Sequence, residues 1–335
     1  MSSSTKLKTE PWQWHLLGLI NPLLVIGTNL VGGVWVASGV IYMLGIGPIL
    51  DLLLGRSRHA GLQRQSGKAL EGMLYLHAIL QAVSVASLLY RVSLDGVAWT
   101  SGVAALSTGL TSGAAGIIVA HELCHRRRGS LGWWLGRFNL LTVLYLHFTT
   151  EHNFTHHRRV ATRHDPASAH LDESYWWFLL RTVPGQFLDA FQVQAARGKT
   201  VLRNPVSQGV LVQFLVLVVI WGLLGSWVVL AFCLQAGFAI FLLEYINYIR
   251  HYGLQRQDGE TLSEKHSWQS EERWSRWTLL ELTRHPAHHL HASEPFWRLQ
   301  PCATAPSLPS GYYGCFWIAL IPPLWKRIMR NRIPR

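Results

Sequence analysis

Charge is what this chain has least of. Only 14% of its 335 residues are Asp, Glu, Lys or Arg, where an ordinary soluble domain carries about 25%. Beside 49% hydrophobic residues, that deficit excludes a typical water-soluble globule. Acidic side chains are the scarcer sign, 18 against 30 basic ones, for a formal net charge of +12. Cysteine is scarce and dispersed: Cys124, Cys233, Cys302 and Cys315 form no close pair. That spacing excludes a disulfide framework, a zinc ribbon and an internal rubredoxin-type cluster. There is no internal repeat and no low-complexity tract. The lysines near the start lead into Pro11-Trp12 and a long apolar block, which is no cleavable-signal pattern. What abounds instead is tryptophan, 16 residues, and histidine, 17. Together these features predict an integral membrane protein with a basic aqueous face.

A bilayer span needs about 20 mostly apolar residues. Residues 15–54 are too long for one and are interrupted at Thr28-Asn29 and Gly32-Gly33, so they read as a helical hairpin. Residues 73–90 and 98–120 make a second hairpin, and 210–230 and 231–249 a third, with Gly225-Ser226 near its turn. The expectation is one all-α domain over 1–335, a bundle of about six membrane helices in three hairpins. Residues 131–150 and 175–191 mix aromatic, apolar and charged side chains, and are read as re-entrant or interfacial helices, with Trp133, Trp134 and Arg137 at headgroup depth. The basic segments fall on one side: Lys6 and Lys8, Arg56 to Lys68 with Arg58 and Arg64 between, Arg126-Arg127-Arg128, Arg250, and Lys326, Arg327 and Arg330. The positive-inside rule makes that side cytoplasmic, with both termini there, in a bacterial-type inner membrane. The charge is thus accounted for by membrane topology, and no nucleic-acid partner is expected.

Nine histidines fall in four short clusters on that side: His121 and His125; His152, His156 and His157; His251; and His285, His288 and His289. Side chains at i and i+4 share one helix face, so His121/His125, His152/His156 and His285/His289 can each grip one metal. Adjacent histidines point about 100° apart on a helix and can serve two metals. Imidazole suits iron, copper, nickel or zinc, and nine imidazoles exceed what one ion can hold. Two metals sharing four and five ligands is the sensible division. Isolated histidines such as His15, His59 and His77 read as amphipathic side chains at the headgroups. Carboxylates fit to fix ligand tautomers are Glu122, Glu151, Asp165, Glu244 and Glu281. Glu244 lies within an apolar span and needs a partner or a water-filled site. Asp51 either shares that need or has reached the headgroups.

The ordered motifs are specific. His121-Glu122-Leu123-Cys124-His125, Glu151-His152 through His157, Arg159 to Thr162, Asp165-Pro166-Ala167-Ser168, Asn247 through Leu254, His266-Ser267-Trp268, Arg284-His285 through His289, Leu308 to Tyr312 and Ile321 to Trp325 occur in that order. Over about residues 15–330 the chain resembles the membrane-bound non-haem di-iron family of alkane hydroxylases, xylene monooxygenases and fatty-acyl desaturases, and looks closest to the alkane hydroxylase branch. The resemblance implies that the nine histidines hold two irons, and that six membrane helices enclose a hydrophobic substrate channel. It departs from the family where Arg250 precedes His251, a position typically Glu. Cys124 and Arg126 stand where the first box usually has Gly and Lys, and Pro286-Ala287 replaces Ser-Asp.

The expected activity is O2-dependent oxidation of an aliphatic chain, foremost the terminal hydroxylation of an alkane by a non-haem di-iron monooxygenase. The second reading is a fatty-acid oxidase, giving a terminal alkene by decarboxylation or an unsaturated acid. For that reading Arg250 could bind a carboxylate bidentately; otherwise it faces lipid phosphate or pairs with Glu244. Glu122, Glu244, Arg250 and Asp165 are thus the candidate catalytic residues beside the nine ligands. A non-catalytic metal carrier is the remote third reading, because the clusters crowd at helix ends rather than at mid-membrane. With no flavin, haem or cysteine motif, electrons must come from an external donor. A rubredoxin or ferredoxin with its reductase fits that need, docking on Arg126 to Arg128 and Arg158-Arg159. Positive-inside topology and lipid headgroups explain the same arginines.

Overall fold

The structure is a computed structural model that describes residues 10–57, 67–257 and 259–334. Lys6, Lys8, Arg58, His59 and Arg64 lie outside the described residues. Helices follow in the order α1 (Trp12–Val31), α2 (Gly33–Leu54), α3 (Lys68–Asp95), α4 (Trp99–Cys124), α5 (Leu131–Thr142), α6 (148–159), α7 (Tyr175–Ala195), α8 (Pro205–Leu224), α9 (Ser226–His251), α10 (Arg273–Thr278), α11 (His285–Leu290), α12 (Tyr312–Ala319) and α13 (Pro322–Arg330). No strand occurs among the described residues, only isolated bridges from Arg56 to Glu272 and from Gln269 to Ser307. Six helices, α1 to α4, α8 and α9, are long and apolar enough to cross a membrane. They make the three expected hairpins. The third turns earlier than the apolar pattern suggests, because Gly225 (φ 87°) closes α8 at Leu224 in a left-handed conformation that a side chain would oppose.

Composition decides which helix is central. In α4, small residues predominate, and 89% of its apolar stretch is buried, against 11% in α8. A Cβ on Gly109 would come within 2.6 Å of the Gln235 carbonyl oxygen, and one on Gly113 within 2.9 Å of Leu242. Small residues are therefore what let α9 approach α4 closely, as in membrane bundles generally. Polar side chains tie the bundle across helices: Asn29 donates to Ser87 and Thr108, and Gln81 to Ser112 and Thr142. Arg91 donates to the Asn29 and Leu30 carbonyls, satisfying the end of α1. Of the expected interfacial segments, α5 is 12 residues long and α7 is 21, and neither is among the six.

The polypeptide after α9 folds over one end of the bundle. Asp51 is buried rather than at a headgroup: it accepts from the Ser275 amide and hydroxyl and from the Gly314 amide, tying α2 to α10 and α12. His15 and His77 are also buried, not snorkelling; His15 Nε2 lies 3.1 Å from Glu281 Oε1. Around Glu281 the chain carries a buried charge network. Arg276 meets Glu281 at 2.8 Å and Glu10 at 3.1 Å, and Arg284 meets Glu271 at 2.8 Å and Glu281 at 3.3 Å. Leu280 and Glu281 both adopt left-handed conformations (φ 53° and 56°). Such backbone costs about 1–3 kcal/mol per residue and persists only where its surroundings over-determine it. The network supplies that determination and fixes the chain entering α11.

Candidate metal centre

All four histidine segments converge at the end of the bundle under this cap. His121 rides the last turn of α4 and His125 follows it; α6 carries His152, His156 and His157; His251 ends α9; and α11 carries His285, His288 and His289. The ligand atoms of His121, His125, His152 and His288 all lie within 4.8 Å of one another. His157 joins them, its Nε2 3.0 Å from His152 Nε2 and 3.2 Å from His288 Nε2. A second group, His156, His251, His285 and His289, also falls within 4.8 Å. Five and four imidazoles thus face two points.

The pairing differs from a plain i,i+4 reading at one place. His121/His125 and His285/His289 do share a group, but His152 and His156 part company. The reason is local: His152–His156 is a π-helical turn. Widening the turn to i→i+5 brings His157, not His156, over His152. The adjacent pairs behave as expected. His288 faces the first group and His289 the second, and His156 and His157 divide likewise.

Burial favours the neutral form at six of these rings. It pushes the His125 pKa down to about 4 and that of His157 to about 2, with neighbouring imidazoles adding to the effect at His157. His152, His285, His288 and His289 are driven well below their ordinary value by the same causes, with Arg250 adding at His285 and His288. Neutral imidazoles carry the lone pair that a metal needs. His121 Nε2 is buried with no hydrogen-bond partner among the described residues, an atom aimed into the first group. The donor set fits a non-haem metal site: all nitrogen, no thiolate, and polar atoms that water does not reach.

The candidate carboxylates have different neighbours. Asp165 sits as expected, its Oδ2 3.0 Å from His156 Nδ1, and is itself held by the Ser168 hydroxyl and the Ala167 amide. Glu151, His156 and Asp165 form a third cluster within 4.8 Å. Burial, and then the nearby Asp165, raise the Glu151 carboxyl well above the usual range. Among the described residues Glu122 and Glu244 hydrogen-bond to none of the nine rings, although Glu122 lines a cavity with His121 and His288. Glu122 accepts from the Phe296 amide, whereas Glu244 is satisfied by Tyr145, Thr182, Gln186 and Asn247. Arg250 is buried and neither pairs directly with Glu244 nor faces lipid. Its Nη1 lies 2.8 Å from His285 Nδ1, and its Nη2 3.4 Å from the Asn247 side-chain oxygen. A guanidinium only donates, so Nδ1 must accept and the ring proton of neutral His285 falls on Nε2, facing His251 and His289.

Sequence reasoning missed the charge network behind α11. Arg276, Glu281 and Arg284 just ahead of His285 were the available signal. Narrow apolar cavities also adjoin the site. One is walled by Ile118, Leu280 and Leu282 with His121, Glu122 and His288 beside them, and another, one helical turn back along α4, by Ala114, Leu242 and Ile246.

The profile of the fatty acid desaturase family matches residues 98–319. Alkane 1-monooxygenase 1 of Pseudomonas aeruginosa is 34% identical, over 99% of this chain and 93% of its own length. Alkane 1-monooxygenase of Acinetobacter baylyi is 32% identical over 95% and 84%. The xylene/toluene monooxygenase hydroxylase component XylM of Pseudomonas putida is 29% identical over 66% and 61%. With the motifs, the six membrane helices and the paired histidine groups in one chain, the protein belongs to the fatty acid desaturase family, among its alkane 1-monooxygenase members.

Proposed function

We propose that this protein is a membrane-bound non-haem di-iron monooxygenase that hydroxylates the terminal carbon of an alkane, with O2 as co-substrate. The observation that carries the reading is the pair of histidine groups brought together at one end of a six-helix bundle. His121, His125, His152, His157 and His288 would hold one iron, and His156, His251, His285 and His289 the other, His285 only once its Nε2 proton has moved to Nδ1 and Arg250 has turned from it. Bound there, the irons would supply the reduction of O2 and the oxidising power for an unactivated C–H bond. The protein's own part is positioning. Ile118, Leu280 and Leu282 present an apolar wall beside His121 and His288, against which the end of an alkyl chain would rest. Asp165 takes the Nδ1 proton of His156 in a hydrogen bond and so leaves Nε2 free. Glu244 holds the scaffold, whereas Glu122 lines the cavity beside His121 and His288.

The decisive experiment supplies membranes carrying the protein with O2, a reductase system and either dodecane or dodecanoic acid. Dodecan-1-ol from dodecane is the expected product. An alkene one carbon shorter from the acid, or an unsaturated acid, with no alcohol from the alkane would overturn the reading.

Arg250 bears on the second iron. As it stands, its donation to Nδ1 keeps the proton on His285 Nε2, the atom that faces the other ligands. Glutamine at 250 can accept from Nδ1–H and release Nε2. Arg250→Gln is therefore expected to raise metal retention under a chelator by about tenfold, the lower end of what outer hydrogen bonds contribute at such sites. Arg250→Lys still donates and should show no gain. Equal retention in all three proteins would remove this role.

Electrons come from an external carrier, a rubredoxin or ferredoxin with its reductase. Arg159 is engaged by Asp189 at 2.7 Å, and Arg126 lies near Glu71 and Glu122. Arg127 and Arg158 remain exposed to meet an acidic protein. Termini and metal centre lie in the cytoplasm on the charge argument. Reporter fusions at Asp95 and Gly225 are expected to read outside and one after Arg128 inside; the opposite result after Arg128 would reverse the topology.

A further inference from the structure

A second hollow, of about 970 Å³, lies beside the histidine groups and takes no part in the proposed chemistry. It is bounded by the end of α4, by α5 and by the connection from α7 to α8, and its inner end is formed by Cys124 and His125. Besides Arg126, which lies near Glu71 and Glu122, the hollow is lined by Arg128, Arg137, Arg197, Lys199 and Arg203, and by no Asp or Glu. These five cations make no ion pair among the described residues, in contrast with Arg159, Arg181, Arg276 and Arg284, each of which holds a carboxylate. Instead, three of them lie against aromatic rings. Arg128 and Arg137 approach the one Trp133 ring at 6.0 and 5.1 Å, and Arg197 lies 4.0 Å over Phe154. Burial first, and Arg128 after it, push the Arg137 pKa down. Arg128, Arg197, Lys199 and Arg203 are exposed, and cations gathered on one hollow attract an anion to it.

The surroundings indicate what kind of anion. Between the cations the walls are apolar, formed by Leu141, Leu146 and Val212. Of its lining, Trp134 and Phe138 stand exposed, as do Val201 and Leu202 just before Arg203 in the chain, Leu202 by 86%. Bare large apolar side chains alternating with arginine belong at the depth of lipid headgroups, not on a face that meets an aqueous protein. The hollow is also too small to admit a folded protein, and large enough for a headgroup with the start of its chains.

We propose that this hollow binds one anionic phospholipid, its phosphodiester on Arg137, Arg197 and Arg203 and an acyl chain along Leu141, Leu146 and Val212. The bound lipid closes the open side of the cavity next to His125. Phosphate chemistry alone would also suit free inorganic phosphate, and the test separates the two. The full chain, in a neutral detergent, is mixed with phosphatidylglycerol or phosphatidylcholine and examined by native mass spectrometry. Retention of one phosphatidylglycerol, at least about tenfold over phosphatidylcholine, is expected from charge-assisted contacts of this number. Arg137→Gln/Arg197→Gln/Arg203→Gln should erase the preference, while Lys326→Gln/Arg327→Gln on α13 should keep it. Equal loss in both variants would reduce the effect to diffuse surface charge and overturn the site. So would displacement by millimolar inorganic phosphate. A triple variant that keeps its lipid preference but no longer binds an acidic electron carrier would assign the face to that protein instead. Should the triple variant misfold, a photo-crosslinking phosphatidylglycerol on the unaltered protein decides: labelling within 126–142 and 194–212 supports the site, and labelling confined elsewhere overturns it.

Discussion

His288→Ala is expected to abolish alkane turnover and to empty one of two metal positions, leaving the protein inserted and folded. His288 faces the first group and has His157 Nε2 3.2 Å away, so its loss opens that coordination sphere while the second group keeps its four rings. His156→Ala should do the same from the other side. Each activity should fall by more than about 100-fold, the upper end of what losing an outer hydrogen bond does at a metal site. Asp165→Asn, which alters only such a bond to His156, should fall within about 10- to 100-fold. Metal analysis of the purified proteins beside product formation separates these outcomes. Near two irons per chain are expected in the unaltered protein. One zinc and no iron would sink the di-iron assignment, and undiminished turnover in either histidine variant would remove that residue from the site.

The largest expected loss of stability comes from Glu281→Gln. Burial alone would raise this carboxyl, but Arg284 and then Arg276 prevail and hold it well below the usual range. Removing its charge leaves two buried guanidinium groups with, among the described carboxylates, Glu10 and Glu271 to answer them. Breaking a buried pair in this way costs about 3–5 kcal/mol, and the two remaining carboxylates place the loss toward the lower figure. The pH dependence has a definite sign. A folded pKa below the unfolded value of about 4.3 gives stability that is complete above that value and lost as pH falls toward the folded one. The stability difference between the unaltered protein and the Glu281→Gln variant should therefore be full at pH 7 and narrow below about pH 4. Heating each in detergent and following the monodisperse fraction would measure it; a constant difference down to about pH 3 would contradict the assignment.

The apolar runs and four histidine clusters made the bundle and its site legible before any coordinates, because both signals are local. Length and hydropathy suffice to count spans, and spacing suffices to recognise the segments that converge. What stayed hidden depends on geometry between segments or on a change of helix type. The π turn at 152–156 exchanges His157 for His156, and nothing in a run of residues announces a wider turn. Glu244 and Asp51 were recognised as ionisable groups in apolar surroundings. Their partners, Gln186 and Ser275 among them, lie 58 and 224 residues away. Arg250 was singled out as a departure from the family, but its orientation toward His285 follows from the packing of α11 against the end of α9, which no local pattern carries.

The order in which the ligand segments occur along the chain has a consequence for biogenesis. Six of the nine histidines precede residue 252, and the last three arrive on α11, after all six membrane helices. When the sixth span leaves the ribosome, the first group lacks only His288, while the second still lacks His285 and His289. Metal loading of the second position is therefore a late event, possible only after the C-terminal cap has folded back and the Glu281 network has oriented α11. A nascent chain halted before residue 285 would be inserted, helical and unable to close either coordination sphere, so that metal content would report completed synthesis rather than insertion.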